Sequence, residues 1–233
     1  MLPSTMADFF VKTLLAVHRR VDRYPPVRRR IAAISRRSLG EKRVNAALIG
    51  VTRRGDCVWD IGANVGLYTQ LFLEWVGPNG KVVAFEPVPE NAALLRELDA
   101  GPQLTVVEAA LADADGQISL VVSGESGETS HIGSDSSDAL TVRVVRGDSL
   151  VANEGVPSPD VLKIDVEGFE GDVLDGIPTA LRSARDVVVE VHFAALTERG
   201  KPNEPLRIIK LLRDAGFSVR WLDISHFLAT RSG

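Results

Sequence analysis

The sequence predicts an α/β protein with a mainly parallel sheet. Three observations carry this. From residue 55 onward, short apolar stretches alternate with helix-periodic ones. The stretch "VWDIGANVG" (58–66) sets a glycine-bearing turn between an apolar strand and the helical "LYTQLFLEWV" (67–76). The strand "KVVAFEP" (81–87) then brings an acid, Glu86, to its end, 20 positions after Gly66.

The elements follow in order. Residues 1–54 read as a basic helical extension and 55–233 as one domain. In "ADFFVKTLLAVHRRVDRY" the apolar residues fall at 10, 11, 14, 15, 17 and 21, the spacing of an amphipathic helix that Pro25 and Pro26 stop. Residues 27–50 read as further helix with arginines on the open face. "DCVWDIGA" is the first strand and "KVVAFEP" the second, followed by the helix "PENAALLREL" with Pro89 in its first turn. "LTVVEAAL" is a third strand. "GQISLVVS" and "ALTVRVVRGDSL" alternate in the manner of an antiparallel pair, around a polar glycine-rich loop that contains His131. "DVLKIDVEG" and "DVVVEVH" are strands separated by the short helix "EGDVLDGI". "NEPLRIIKLLRDAG" is a helix closed by Gly216, and "FSVRWLD" with "HFLATRS" forms a last hairpin.

Composition excludes some classes. The chain has 233 residues and a net charge of −4, which hides an asymmetry. Residues 1–54 hold 13 of the 27 basic and 3 of the 31 acidic side chains. An acidic body without an aromatic-lined basic groove argues against a nucleic-acid enzyme. The basic head suits a solvated face, a lid, a homo-oligomer arm or weak contact with a membrane surface. "FFVKTLLAV" is short and carries Lys12, so neither a leader peptide nor a membrane span is expected, and a cytoplasmic protein is. The single cysteine, Cys57, forms no internal disulfide and reads as core.

In a parallel α/β sheet the ligand sits at the carboxyl ends of the strands. Gly62 lets the chain turn sharply there, Asn64 tolerates a left-handed backbone, and Gly66 admits a closely packed helix. Asp60 is read as pointing its carboxylate at the crevice, and Glu86 as taking the hydroxyls of a ribose. The ligand expected is an adenosine compound. Gly62 to Leu67 breaks the G-x-G-x-x-G pattern of a dinucleotide site, which favours S-adenosylmethionine over NAD.

A second group follows. Lys163, Asp165 and Glu167 alternate, as do Glu190 and His192. Neighbouring parallel strands would bring these acids and His192 together above the sheet. A carboxylate there would hold an amino group or a substrate hydroxyl, and His192 is the candidate general base. Asp165, Glu190 and His192 are also candidate ligands for a divalent metal such as magnesium. The alternative is a structural ion-pair network around Lys163. His18, His131 and His226 carry weaker signals.

Taken in this order, "VWDIGANVGLYT", "GKVVAFEPVPENAALL", "VLKIDVEGFEGDVLDGI" and "VVVEVH" resemble the FkbM family of S-adenosylmethionine-dependent methyltransferases, over roughly residues 55–193. The resemblance implies a class I methyltransferase fold: a Rossmann-like seven-stranded sheet with an antiparallel last strand and helices on both faces. It implies methyl transfer to a hydroxyl of a sugar, glycolipid or glycosylated natural product. By motif, Asp60, Gly62, Asn64 and Gly66 would contact the methionine part of the cofactor and Glu86 its ribose. Ala110 to Asp113 would line the adenine, and Ala63, Tyr68 and Pro87 belong to the same binding set. Asp165 and Glu167 would border the methyl group and the acceptor, with Asp165 touching both. The competing readings are an NAD-dependent sugar oxidoreductase and a non-catalytic binding module.

Overall fold

Cys57–Ile61 (β1) is buried along its whole length and lies in the interior of a seven-stranded sheet. The computed structural model describes residues 39–98, 100–123, 129–132 and 139–231. The helix expected over residues 10–21 lies outside them. After Leu39–Val51 (α1) come β1, Leu67–Val76 (α2), Lys81–Phe85 (β2), Pro89–Arg96 (α3) and Leu104–Val107 (β3). A second group holds Ala110–Leu111 (β4), Gly116–Ser123 (β5), Thr129–Ile132 (β6), Ala139–Val145 (β7) and Gly147–Asn153 (α4). Then follow Val161–Ile164 (β8), Glu170–Gly176 (α5), Pro178–Ser183 (α6) and Asp186–Glu190 (β9). Phe193–Glu198 (α7), Glu204–Asp214 (α8), Phe217–Trp221 (β10) and His226–Arg231 (β11) complete the described chain.

The large sheet has the order β10-β11-β9-β8-β1-β2-β3. Every pairing is parallel except those of β11, which runs against both β9 and β10. The order reverses at β1, so the crevice opens beyond the ends of β1 and β8. Helices cover both faces because the central strands are apolar on both. Trp59 and Ile61 face α5, α6 and α8, in a core with Val173, Leu181 and Ile208. Val58 faces α1 and α2, in a core with Val44, Leu48 and Phe72. Thus α1 packs Val44 and Leu48 on the sheet, one turn apart, although it precedes the boundary expected at residue 54.

Several elements differ from the sequence reading. "LTVVEAAL" divides: β3 stays in the large sheet while β4 leaves it for a second, four-stranded sheet of order β4-β7-β5-β6. β5 and β7 pair antiparallel as expected. β7 ends at Val145, and "GDSL" opens a helix instead. Gly147 fits there because a Cβ would meet Ile177 at 2.5 Å and Trp59 at 3.0 Å. Part of the polar loop is strand β6, with His131 opposite Val121. The helices α6 and α7 have six residues each, too short to leave a readable period.

Cys57 is core. Its thiol lies 3.8 Å from the Pro157 carbonyl, and burial, helped by Asp160, pushes its pKa up to about 12. Folded protein at pH 8 will therefore resist Ellman's reagent, and unfolding in guanidinium will release one reactive thiol. The neutral thiol contributes stability fully below the ordinary thiol value of 9.0 and loses it as pH rises toward 12.

Candidate active site

The turn after β1 is shaped by its neighbours. Gly62 has φ 79°, and a Cβ there would lie 1.8 Å from the Asp165 carbonyl oxygen at the end of β8. Only glycine lets those two chain ends approach so closely. Asn64 adopts the expected left-handed backbone, φ 50°. Its N–H donates to Glu86 Oε2 at 2.8 Å. Glu86 Oε1 accepts the Val88 N–H at 2.9 Å and the Asn91 amide at 3.4 Å. Burial pushes the Glu86 carboxyl above its ordinary value, against the pull of these donors.

A cavity of about 460 Å³ opens at this point. Its size suits a cofactor-sized ligand. Gly62, Ala63, Asn64, Tyr68, Glu86, Pro87 and Asp113 line it together with Asp165, Glu167, Glu190 and His192. The second sheet roofs it with Leu111, Ile118, Leu120 and Val144, an apolar wall that the sequence reading did not anticipate.

Two expected residues are not on that wall. Asp60 is fully buried on the α2 face of the sheet, where its register partner is Lys163. Its Oδ2 accepts the Thr69 hydroxyl at 2.6 Å, and its Oδ1 lies 3.2 Å from Lys163 Nζ. It therefore does not point into the crevice. Gly66 packs against α3 instead, where a Cβ would meet Leu95 Cδ2 at 2.8 Å. Lys163 does reach the cavity. Its ammonium lies 3.3 Å from Asp165 Oδ2 and 4.9 Å above the Tyr68 ring. Burial would lower its pKa, but Asp60 and Asp165 raise it above the ordinary lysine value.

The acids gather around His192, which caps α7. Its Nε2 is 3.5 Å from Glu167, 3.6 Å from Asp165 and 4.0 Å from Glu190. Its Nδ1 lies 2.7 Å from Glu170 Oε1. Burial alone would depress the imidazole, but Glu170 and the surrounding acids raise its pKa to about 9. These acids favour the protonated ring, which makes His192 a weaker general base than the sequence suggested. Asp165 is pushed up by burial but held below its ordinary value by Lys163 and His192. Glu167, at φ 47°, is raised by burial and by the neighbouring carboxylates of Asp165 and Glu190, against His192.

Sequence reasoning missed Glu170 here and ranked His226 too low. Glu170 is fully buried and also accepts the Gly168 N–H at 3.0 Å. In sequence it reads as an acid in a helix's first turn. His226 lies opposite Glu190 in the antiparallel register and reaches its Oε2 at 3.2 Å. The signal was a histidine at the start of the final strand, which meets β9 only through long-range pairing.

Fold and cavity together define a class I S-adenosylmethionine-dependent methyltransferase. Residues 60–219 match the Methyltransferase FkbM domain family, and the chain belongs to that family. It is 32% identical over 182 residues to the hexuronic acid methyltransferase AglP of Haloferax volcanii, covering 77% of this chain and 71% of the relative. It is 30% identical over 203 residues to the 31-O-demethyl-FK506 methyltransferase FkbM of Streptomyces tacrolimicus, covering 72% and 74%. The crystal structure of an FkbM methyltransferase from Methylobacillus flagellatus shares the fold at a TM-score of 0.51 and 15% identity, over 75% of this chain and 43% of that one. Membership in this family removes the oxidoreductase reading. Among the described residues no helix is long and apolar enough to cross a membrane.

The residues present fit the cofactor. Glu86 spends three acceptor positions on protein donors, of the roughly four a carboxylate offers. The Asn64 side-chain oxygen is buried without a protein partner beside the cavity. A nucleoside's hydroxyl and amino groups match both needs.

The position of Asp60 moves the effect of its removal from ligand affinity to stability. Asp60→Ala leaves the Lys163 ammonium buried with one partner lost, and is expected to cost about 3 kcal/mol or more. Urea unfolding at pH 7 measures this, and adding Lys163→Met is expected to restore part of the loss.

Proposed function

We propose that this chain transfers a methyl group from S-adenosylmethionine to a hydroxyl oxygen of a sugar or a glycosylated natural product. One observation carries the reading. A single cavity joins the glycine turn and Glu86 to a cluster of oxygen acceptors formed by Asp165, Glu167 and Glu190. Hydroxyl groups are donors, so this cluster suits a polyhydroxylated acceptor. The substrates for which two relatives are named, a hexuronic acid and an O-demethylated FK506, support the same class.

The sulfonium of the bound cofactor supplies an activated methyl group, which leaves the protein mainly the work of alignment. Glu86 would hold a ribose hydroxyl, and the backbone from Gly62 to Asn64 would hold the methionine part. Ala110 to Asp113 would border the adenine, while Leu111 and Ile118 exclude water above it. Tyr68 and Pro87 complete that wall. Glu167 would take the hydrogen bond of the acceptor hydroxyl and receive its proton, with Asp165 bordering the same hydroxyl. His192, tethered by Glu170, keeps those carboxylates in place.

Two measurements test this. Glu86→Gln, with unchanged circular dichroism, is expected to weaken S-adenosylmethionine binding about tenfold or more, the loss of one or two good hydrogen bonds to a charged group. Wild-type protein with S-adenosylmethionine and a panel of hydroxylated glycosides is expected to give a mono-O-methylated product by mass spectrometry. Methylation confined to amine or carboxylate acceptors would overturn the hydroxyl assignment.

A further inference from the structure

Three side chains lining the cavity share one design. Each has one donor atom near those of the other two and ties its other donor atom to a partner behind. His192 presents Nε2, with Nδ1 on Glu170 at 2.7 Å. Asp165 presents Oδ1, with Oδ2 at 3.3 Å from Lys163. Glu190 presents Oε1, with Oε2 at 3.2 Å from His226. Donor atoms of Asp165, Glu190 and His192 all lie within 4.8 Å of one another.

The spacing among these three donor atoms is not that of hydrogen bonds. Where this cluster is tied to partners, it closes to between 2.7 and 3.3 Å, as His192 does on Glu170, His226 on Glu190 and Lys163 on Asp165. Yet Nε2 stands 3.6 Å from Asp165 and 4.0 Å from Glu190, beyond hydrogen-bond reach of both. Two ligands each about 2.1 Å from one ion lie about 3 to 4 Å apart. The tether on Nδ1 is the arrangement that fixes a metal-bound imidazole, and the partners of Asp165 and Glu190 fix the carboxylates in the same way. Glu170 is fully buried, so this tether is built into the core rather than made by chance at the surface.

We propose that Asp165, Glu190 and His192 bind one divalent cation of the manganese class, which holds two neighbouring oxygens of the methyl acceptor. Two carboxylates and one imidazole suit Mn²⁺, between the oxygen preference of Mg²⁺ and the nitrogen preference of Zn²⁺. Binding displaces the proton on Nε2. In an octahedral shell the three protein ligands leave about three positions, enough for a vicinal pair of hydroxyls and a water. Glu167 stands beside these ligands, 3.5 Å from Nε2, where it borders the acceptor without being needed as a ligand. The acceptor role rests on the methyl-transfer reading, but the cation site does not.

Loss of the free Mn²⁺ signal by electron paramagnetic resonance tests the site without turnover. One Mn²⁺ per full-length chain is expected at micromolar protein. Glu190→Gln and His192→Asn, each with a normal thermal unfolding profile, are expected to weaken binding tenfold or more. Glu170→Gln leaves all three ligands and is expected to cost 10- to 100-fold through the lost tether. Exposed Glu97→Gln is expected to change nothing. Absence of Mn²⁺ binding by the wild type, or equal binding by His192→Asn, would overturn the site. Mn²⁺ binding without any methyl transfer would leave the site standing and sink the acceptor role alone.

Discussion

The approach of Gly62 to the Asp165 carbonyl is the constraint on which the rest of this structure depends. β1 and β8 are neighbours in the sheet but distant in sequence, and their carboxyl ends meet where the strand order reverses. A side chain at Gly62 would drive the two ends apart. With glycine there, the turn to α2 and the turn to α5 share one wall. Both turns line the same cavity.

The Asp60–Lys163 pair reinforces the same junction from below. It links the register partners of β1 and β8 on the α2 face, where both side chains are buried. A buried ion pair adds little net stability over an apolar one of the same shape, but it penalises a slipped register heavily. Lys163 also extends to Asp165, so it couples the hidden pair to the half-buried acids. Above the crevice, β4, β5 and β7 form the roof. Under the proposed function their apolar residues would keep water from the cofactor, while the acids beside them would handle the acceptor's proton.

Much of this was legible in sequence because it leaves local marks. Positive φ at Gly62 and Asn64, the acid at the end of β2 and the alternating charges of "KIDVEG" are all set by short-range geometry. The direction of Asp60 was not legible. It depends on which face of β1 is covered by α2, and a strand shows alternation without saying which face is wet. Glu170 was missed and His226 ranked too low for a related reason: one looks like an ordinary acid in a helix's first turn, and the other reaches Glu190 only through antiparallel pairing. The second sheet was half visible, since β5 and β7 alternate clearly, but the departure of β4 from the third strand is decided by tertiary packing alone.

A crystal structure with S-adenosylhomocysteine would test the central claim most directly. The account expects a ribose hydroxyl on Glu86 and the sulfur beside the Gly62–Asp165 contact, turned toward Asp165 and Glu167. A nucleoside bound away from Glu86, or a sulfur turned from the acids, would contradict the assignment of Glu86 to the cofactor and of the acids to the acceptor.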